Sequence, residues 1–357
     1  MSELQHNSGC CARPESVCFR TGARQHAIRR IFPVFIPFLG CPGQCVYCAQ
    51  DKQTGHSASS GIHAVLKDAC AHLDTFSPCT GEQTRELAFY GGTFTALPAS
   101  DRRACLDTLL FLRKKGLITH ARCSTRPDAL AHCVLEELSR CGVGLVELGI
   151  QSFDDKALAL SRRGYTGREA EAGCLTVRQA GLDLGIQLLP GMPGSTPEIF
   201  LSDVRRSLEL EPSCLRFYPC LVPEGTVLAR WYREGVFKPW SVEETVRTLG
   251  KALYLAWQAD VPVIRLSVAP EPSFDTALLA GPRHPALGAL IQAEALLLAA
   301  ADAVVQLGRT PEQLVLPAFC QGFLYGDHGA LKPRWKALGL TPEHIVFSPD
   351  AVMAVLR

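Results

Sequence analysis

The sequence carries almost no net charge: 36 Lys and Arg against 35 Asp and Glu, a formal +1 at pH 7. That balance excludes a general electrostatic pull toward nucleic acid or membrane. Nowhere do about eighteen apolar residues run without an interrupting charge, so no membrane span is expected. The N-terminus is polar and lacks the apolar core of a secretion signal, so a reducing, cytoplasmic location is expected. Repeats and low-complexity tracts are missing as well. With 47% apolar residues, the chain builds a large core, and no disordered class fits.

Cysteine, by contrast, is plentiful, at 16 of 357 residues. In a reducing compartment these are metal ligands or free thiols rather than a disulfide framework. Three of them, Cys41, Cys45 and Cys48, form a C-x3-C-x2-C pattern. An apolar, β-branched run over 31–39 precedes it, so a strand is expected to feed a tight loop. Gly40, Pro42 and Gly43 let that loop wrap closely around something compact. Three thiolates leave a tetrahedral zinc ion one ligand short. They suit a [4Fe–4S] cluster with three irons held by cysteine and one open to a substrate or cofactor. On the spacing alone two other readings stand: three ordinary buried cysteines, or a zinc site completed by a distant His or Cys.

From residue 31 onward the pattern alternates. Strands are expected at 31–39, 86–90, 121–125, 144–150, 183–189, 215–219 and 261–266. Helices are expected at 62–76, 99–115, 129–140, 166–180, 197–209 and 242–258. Short strands separated by helices mean βαβ units and a parallel sheet. The expected fold is α/β, a partial TIM-type (β/α)6 barrel with a small C-terminal extension. The expected division is an arm at 1–28, the barrel at 29–283 and a capping extension at 284–357. The arm, with Cys10, Cys11, Cys18, Arg13, Arg20 and Arg24, reads as a solvated tail, and an extra metal site or a polyanion contact is the alternative.

In such a barrel the C-terminal ends of strands carry the chemistry, and each end here holds a motif. The second strand ends in Tyr90-Gly91-Gly92-Thr93. The third runs into Cys123-Ser124-Thr125-Arg126-Pro127-Asp128, polar where an apolar strand should continue. The fourth ends at Gln151 and is followed by Arg162-Arg163-Gly164-Tyr165. The fifth gives Gln187-Leu188-Leu189-Pro190-Gly191-Met192. The sixth gives Arg216-Phe217-Tyr218-Pro219.

The cysteine loop, with the aromatic Tyr47 before its last Cys, resembles that of the radical S-adenosylmethionine (SAM) superfamily. Over about residues 30–290 the later motifs are similar to the radical-SAM half of the Elongator catalytic subunit family, and partly to oxygen-independent coproporphyrinogen oxidase. The resemblance implies a [4Fe–4S] cluster on Cys41, Cys45 and Cys48 whose open iron chelates SAM. An electron from a flavodoxin- or ferredoxin-type donor would then release a 5′-deoxyadenosyl radical that abstracts hydrogen from a substrate. It implies cofactor contacts at Tyr47, at Gly91, Gly92 and Thr93 (SAM amino group), at Arg163 (SAM carboxylate), at Gln151 with Ser124 or Gln187 (ribose) and at Met192 or Ile150 (adenine). Tyr218 is the substrate-side catalytic candidate.

Departures from the family pattern are specific. Ser124 stands where the Elongator subunit has a Glu, Tyr165 where it has a His, and Gln187 at an Asp position. The first two cysteines are closer together than in that subunit. An RNA base is the substrate the Elongator likeness implies. A tetrapyrrole or other small molecule is the enzymatic alternative, and a zinc or redox-sensing binding module the non-enzymatic rival. The Elongator subunit continues into an acetyltransferase domain; without a Gly-rich pyrophosphate turn after His284, acetyl transfer is not expected here. The tail interleaves Phe323 and Tyr325 with His328, Lys332, Arg334 and Lys336. That reads as a solvated face or, alternatively, as an RNA contact.

Overall fold

The computed structural model describes residues 15–19, 29–54, 61–81, 83–268, 272–349 and 353–356. They fall into two compact units, one drawn from 22–288 and one from 1–21 together with 289–357.

Strand β1 (Ser16–Phe19) belongs to the smaller unit. The larger is built on β2 (Arg30–Phe35), β3 (Arg85–Tyr90), β4 (His120–Thr125), β5 (Leu145–Gln151), β6 (Asp183–Leu188) and β7 (Cys214–Phe217). After the two-residue β8 (Val222–Pro223) comes β9 (Val263–Arg265). The seven long-range partners β2 to β7 and β9 lie side by side in chain order, and every pairing is parallel. The sheet curls into a half-barrel, the expected partial TIM-type α/β fold. Parallel strands need crossovers, and helices supply them. Helix starts follow the sequence: Thr166 forms a capping box with Glu169, Thr196 caps a helix with Pro197 in its first turn, and Ser241 caps Val242–Gln258. Helix-covered strands are buried on both faces and read as apolar runs, as in β3, where Leu87, Ala88 and Phe89 have no exposure.

Strand β2 stops at Phe35, four residues short of the expected end. Phe38 (φ 61°) and Gly40 (φ 75°) turn the chain there. Both adopt the left-handed region, which strands do not use.

In the smaller unit β1, β11 (Gln313–Pro317), β12 (Ile345–Ser348) and β13 (Met353–Leu356) form a sheet in the order β1-β13-β11-β12. The intervening β10 (Leu278–Ala280) pairs with β8 in the larger unit. Ser16–Phe19, expected within a loose arm, is therefore a strand, held antiparallel against Met353–Leu356. Cys18 on it is exposed; Cys10, Cys11, Arg13, Arg20 and Arg24 lie outside the described residues. The helix Leu287–Leu307 is long and apolar enough to cross a membrane, but half of its most apolar window is buried. Its Leu296, Leu297, Ala300 and Leu307 pack on Trp335, Leu314 and Val355. The expected aromatic–basic surface is not an open stacking platform. Phe323 and Tyr325 pack against that core, Lys332 sits over the Tyr325 ring, and Arg334 pairs with Glu294.

Candidate active site

The C-terminal ends of the larger unit's strands surround a cavity of about 500 Å³. Cys41, Cys45 and Cys48 line it together with Tyr47, Gly91, Gly92, Ser124, Gln151, Arg163, Gln187 and Tyr218. Motifs scattered over 178 positions of sequence thus converge on one hollow.

The cysteine loop is clamped from below. Gln50 Oε1 accepts from the Phe38 amide (2.7 Å) and the Gly92 amide (2.9 Å), tying the loop to the turn after β3. Thr93 N donates to Leu39 O (2.8 Å). The approach is so close that only glycine fits at two points. A Cβ on Gly92 (φ +58°) would lie 2.1 Å from Leu39 O, and one on Gly40 would lie 2.4 Å from Thr93 O. On its far side the loop binds Ser161 O through Val46 N (3.3 Å), and Val46 O accepts from Leu228 N (2.8 Å).

Not every expected contact faces the cavity. Thr93 is fully buried, and its Oγ1 lies 3.3 Å from Cys41 Sγ, so it supports a cysteine rather than the wall. The Gly92 amide is engaged by Gln50. Met192 packs in a core cluster with Val46, Leu189 and Leu228, behind the residues that line the cavity.

Gln151 ends β5 with φ 70°, beside a break in the β5–β6 register. Left-handed backbone at a non-glycine residue costs about 1–3 kcal/mol and recurs at functional sites. Here its carbonyl is held by Leu189 N (2.9 Å), and Gln187 Nε2 reaches its Oε1 (3.4 Å).

Arg163 is buried, and three of its N–H groups are used within the protein. Nε donates to Tyr165 Oη (2.8 Å), Nη2 to Gly149 O (2.6 Å) and Nη1 to Cys45 Sγ (3.1 Å). One N–H remains on each terminal nitrogen. Tyr165, where the Elongator family has His, is the brace: its hydroxyl lies 2.8 Å from Gly149 O. Tyr47 Oη is buried without a hydrogen-bond partner, an orphan on the cavity wall of the kind that calls for an explanation.

A second set of residues was not anticipated. Glu86, Arg122, Glu147 and Arg216 are all buried inside the half-barrel. Arg122 bridges Glu86 and Glu147. Arg216 Nε lies 2.8 Å from Glu147 Oε2, and its terminal nitrogens donate to Tyr218 and Tyr90 hydroxyls. The signal was present in the sequence: single charges at inward positions of otherwise apolar strands, which are expensive unless paired.

The donor set fits a multi-iron group. Among the described residues no three His, Cys, Asp or Glu side chains are close enough to grip one metal ion, whereas three thiols face one cavity. A single zinc ion with bonds of about 2.3 Å would draw the sulfurs to roughly 3.8 Å of one another. Burial, then the neighbouring Cys45 and Cys41, pushes the Cys48 thiol up to about 12. To ligate as a thiolate in that setting, Cys48 needs a cationic group beside it.

Comparison with known proteins gives the family. Residues 35–206 match the radical SAM superfamily model, and residues 212–296 match the radical SAM C-terminal domain. A tRNA uridine(34) acetyltransferase of Dehalococcoides mccartyi (strain CBDB1) is 31% identical over 57% of this chain and 51% of its own length. Elongator complex protein 3 of Saccharomyces cerevisiae is 22% identical over 61% of this chain and 47% of its own. The chain thus spans about half the length of the curated relatives it matches. The solved structure of Methanocaldococcus infernus Elp3, with an N-terminal deletion, shares the fold with a TM-score of 0.57 and 22% identity, over 74% of this chain and 62% of that one. From the matched models, the chain belongs to the radical SAM superfamily of enzymes.

Proposed function

We propose that this enzyme holds a [4Fe–4S] cluster on Cys41, Cys45 and Cys48, cleaves SAM reductively and acts on an RNA base. The observation that carries the reading is that the three thiols share one cavity with the glycine turn, Gln151, Arg163 and Tyr218. When bound, the cluster supplies the electron and the open iron for SAM cleavage.

The protein's own residues would do the rest. The Gly91–Gly92 turn offers backbone carbonyls to the SAM amino group. The two spare N–H groups of Arg163 take its carboxylate. Gln151, Ser124 and Gln187 face its ribose hydroxyls. Tyr47 lies against the bound cofactor and finds there a partner for its hydroxyl. Tyr218 meets the substrate. Its oxygen accepts from Arg216 (2.9 Å), and a guanidinium has no acceptor to offer in return, so the phenol hydrogen is directed elsewhere. The RNA substrate is supported by relatives that are named for a tRNA uridine.

The test is anaerobic reconstitution with iron, sulfide and SAM, followed by reduction. A brown protein that yields 5′-deoxyadenosine is expected, and Cys45→Ala abolishes the product. Colourless protein with stoichiometric zinc would refute the assignment. Nucleoside profiling of RNA from a deletion strain tests the substrate: an unchanged profile refutes the RNA base and leaves a small-molecule substrate.

A further inference from the structure

Four arginines are buried among the described residues: Arg122, Arg126, Arg163 and Arg216. Three of them meet carboxylates, Arg122 with Glu86 and Glu147, Arg126 with Asp128, and Arg216 with Glu147. Arg163 meets none. Its bonds go to a backbone carbonyl, a phenol and the sulfur of Cys45 at 3.1 Å. A buried guanidinium without a counter-charge is expensive, and of these three partners only the sulfur takes up negative charge when electrons enter a cluster it ligates.

We infer that Arg163 is a positioning residue for electron entry: its N–H on the Cys45 sulfur raises the reduction potential of the cluster that Cys45 holds. The inference rests on the cluster assignment above. Hydrogen bonds to ligand sulfurs and nearby charge are among the main levers a protein has on such a potential. The step concerned is the transfer of one electron from an external low-potential donor to the cluster, with no bond made or broken and no proton moved. The extra negative charge sits partly on sulfur, where a charged donor stabilises it about twice as strongly as a neutral one. Tyr165 sets the geometry. Its oxygen accepts from Arg163 Nε and donates toward the β5 carbonyls of Gly149 and Ile150, so the guanidinium cannot swing off Cys45 without breaking this brace.

The experiment is a potentiometric titration of the reconstituted full chain with dithionite, followed by electron paramagnetic resonance, in the absence of SAM. Iron and sulfide are counted for each sample. Arg163→Gln is expected to lower the reduced-to-oxidised ratio at a fixed potential by about tenfold, a midpoint about 59 mV more negative. Arg163→Lys should fall between the two, and Tyr165→Phe should move the same way by less. An unchanged midpoint in Arg163→Gln with full iron content overturns the inference. If that variant takes up no iron, an unchanged midpoint in both Arg163→Lys and Tyr165→Phe overturns it. A weaker SAM affinity with an unmoved SAM-free midpoint also overturns it, since that is the signature of carboxylate binding alone. Failure of the wild-type chain to take up four irons refutes instead the cluster assignment on which the inference rests.

Discussion

The side-chain oxygen of Gln50 lies 2.9 Å from the amide of Gly92, forty-two residues away. The same oxygen takes the Phe38 amide at 2.7 Å. One acceptor therefore fixes both the entrance of the cysteine loop and the glycine turn that faces it. Gln50→Ala leaves two partly buried N–H groups unpaired, at a cost of about 1–3 kcal/mol. We expect a lower denaturation midpoint and weaker iron retention after gel filtration. Gln50→Glu keeps an acceptor and should retain more of both; equal behaviour of the two variants would refute this role.

The glycines of the site divide sharply. At Gly92 the backbone is left-handed, and an added Cβ meets Leu39 O at 2.1 Å; at Gly43 it meets nothing within 4 Å. Gly92→Ala should push the cysteine loop off the turn, with loss of cluster uptake and a destabilisation of about 1–3 kcal/mol from strained backbone. Gly43→Ala should be silent in both measurements. Iron content and thermal melts of the two variants, side by side, check the pair.

Arg122 is the pivot of the charge network inside the half-barrel. Removing it as Arg122→Met leaves Glu86 and Glu147 short of a partner in a buried setting. Breaking one side of a buried ion pair costs about 3–5 kcal/mol, read here as a shift in the urea midpoint. Adding Glu86→Leu should recover part of the loss, because two apolar groups of similar size are tolerated where a lone charge is not. A double variant no more stable than the single one would show that the network is not what Arg122 supports.

Much of this architecture was legible in the chain. Helices 197–209 and 242–258 lie where the sequence pattern puts them, and in the structure Thr196 and Ser241 cap their starts. The strand order followed from alternation alone. What escaped was long-range. The end of β2 depends on a left-handed Phe38, a choice no local propensity favours. The Arg163–Cys45 contact joins positions 118 apart through a loop whose path is set by tertiary packing. Aromatics at 323 and 325 read as a surface because their partners on Leu287–Leu307 and β11 are remote in sequence.

Asp203 gives the pH dependence a sign. It is buried, accepts from Ser152 Oγ (2.6 Å) and from Phe153 N (2.8 Å), and so holds the segment that follows Gln151. Burial outweighs those two hydrogen bonds and pushes its carboxyl from 3.8 up to about 6, with Asp154 adding to the rise. A carboxyl raised on folding binds its proton more tightly in the native state. Its contribution is therefore fully present below pH 3.8 and is lost as pH rises through 6, because above that value a buried charge must be carried. The span corresponds to roughly 3 kcal/mol. Asp203→Asn keeps an acceptor for the Phe153 amide and a donor for Ser152, and does not titrate. Chemical denaturation at pH 4, 5, 6 and 7 should show the variant gaining on the wild type steadily across that range, levelling off above pH 6. Parallel pH profiles for the two proteins would refute the assignment, and a reversed trend would mean that the Ser152 and Phe153 bonds, rather than burial, govern this carboxyl.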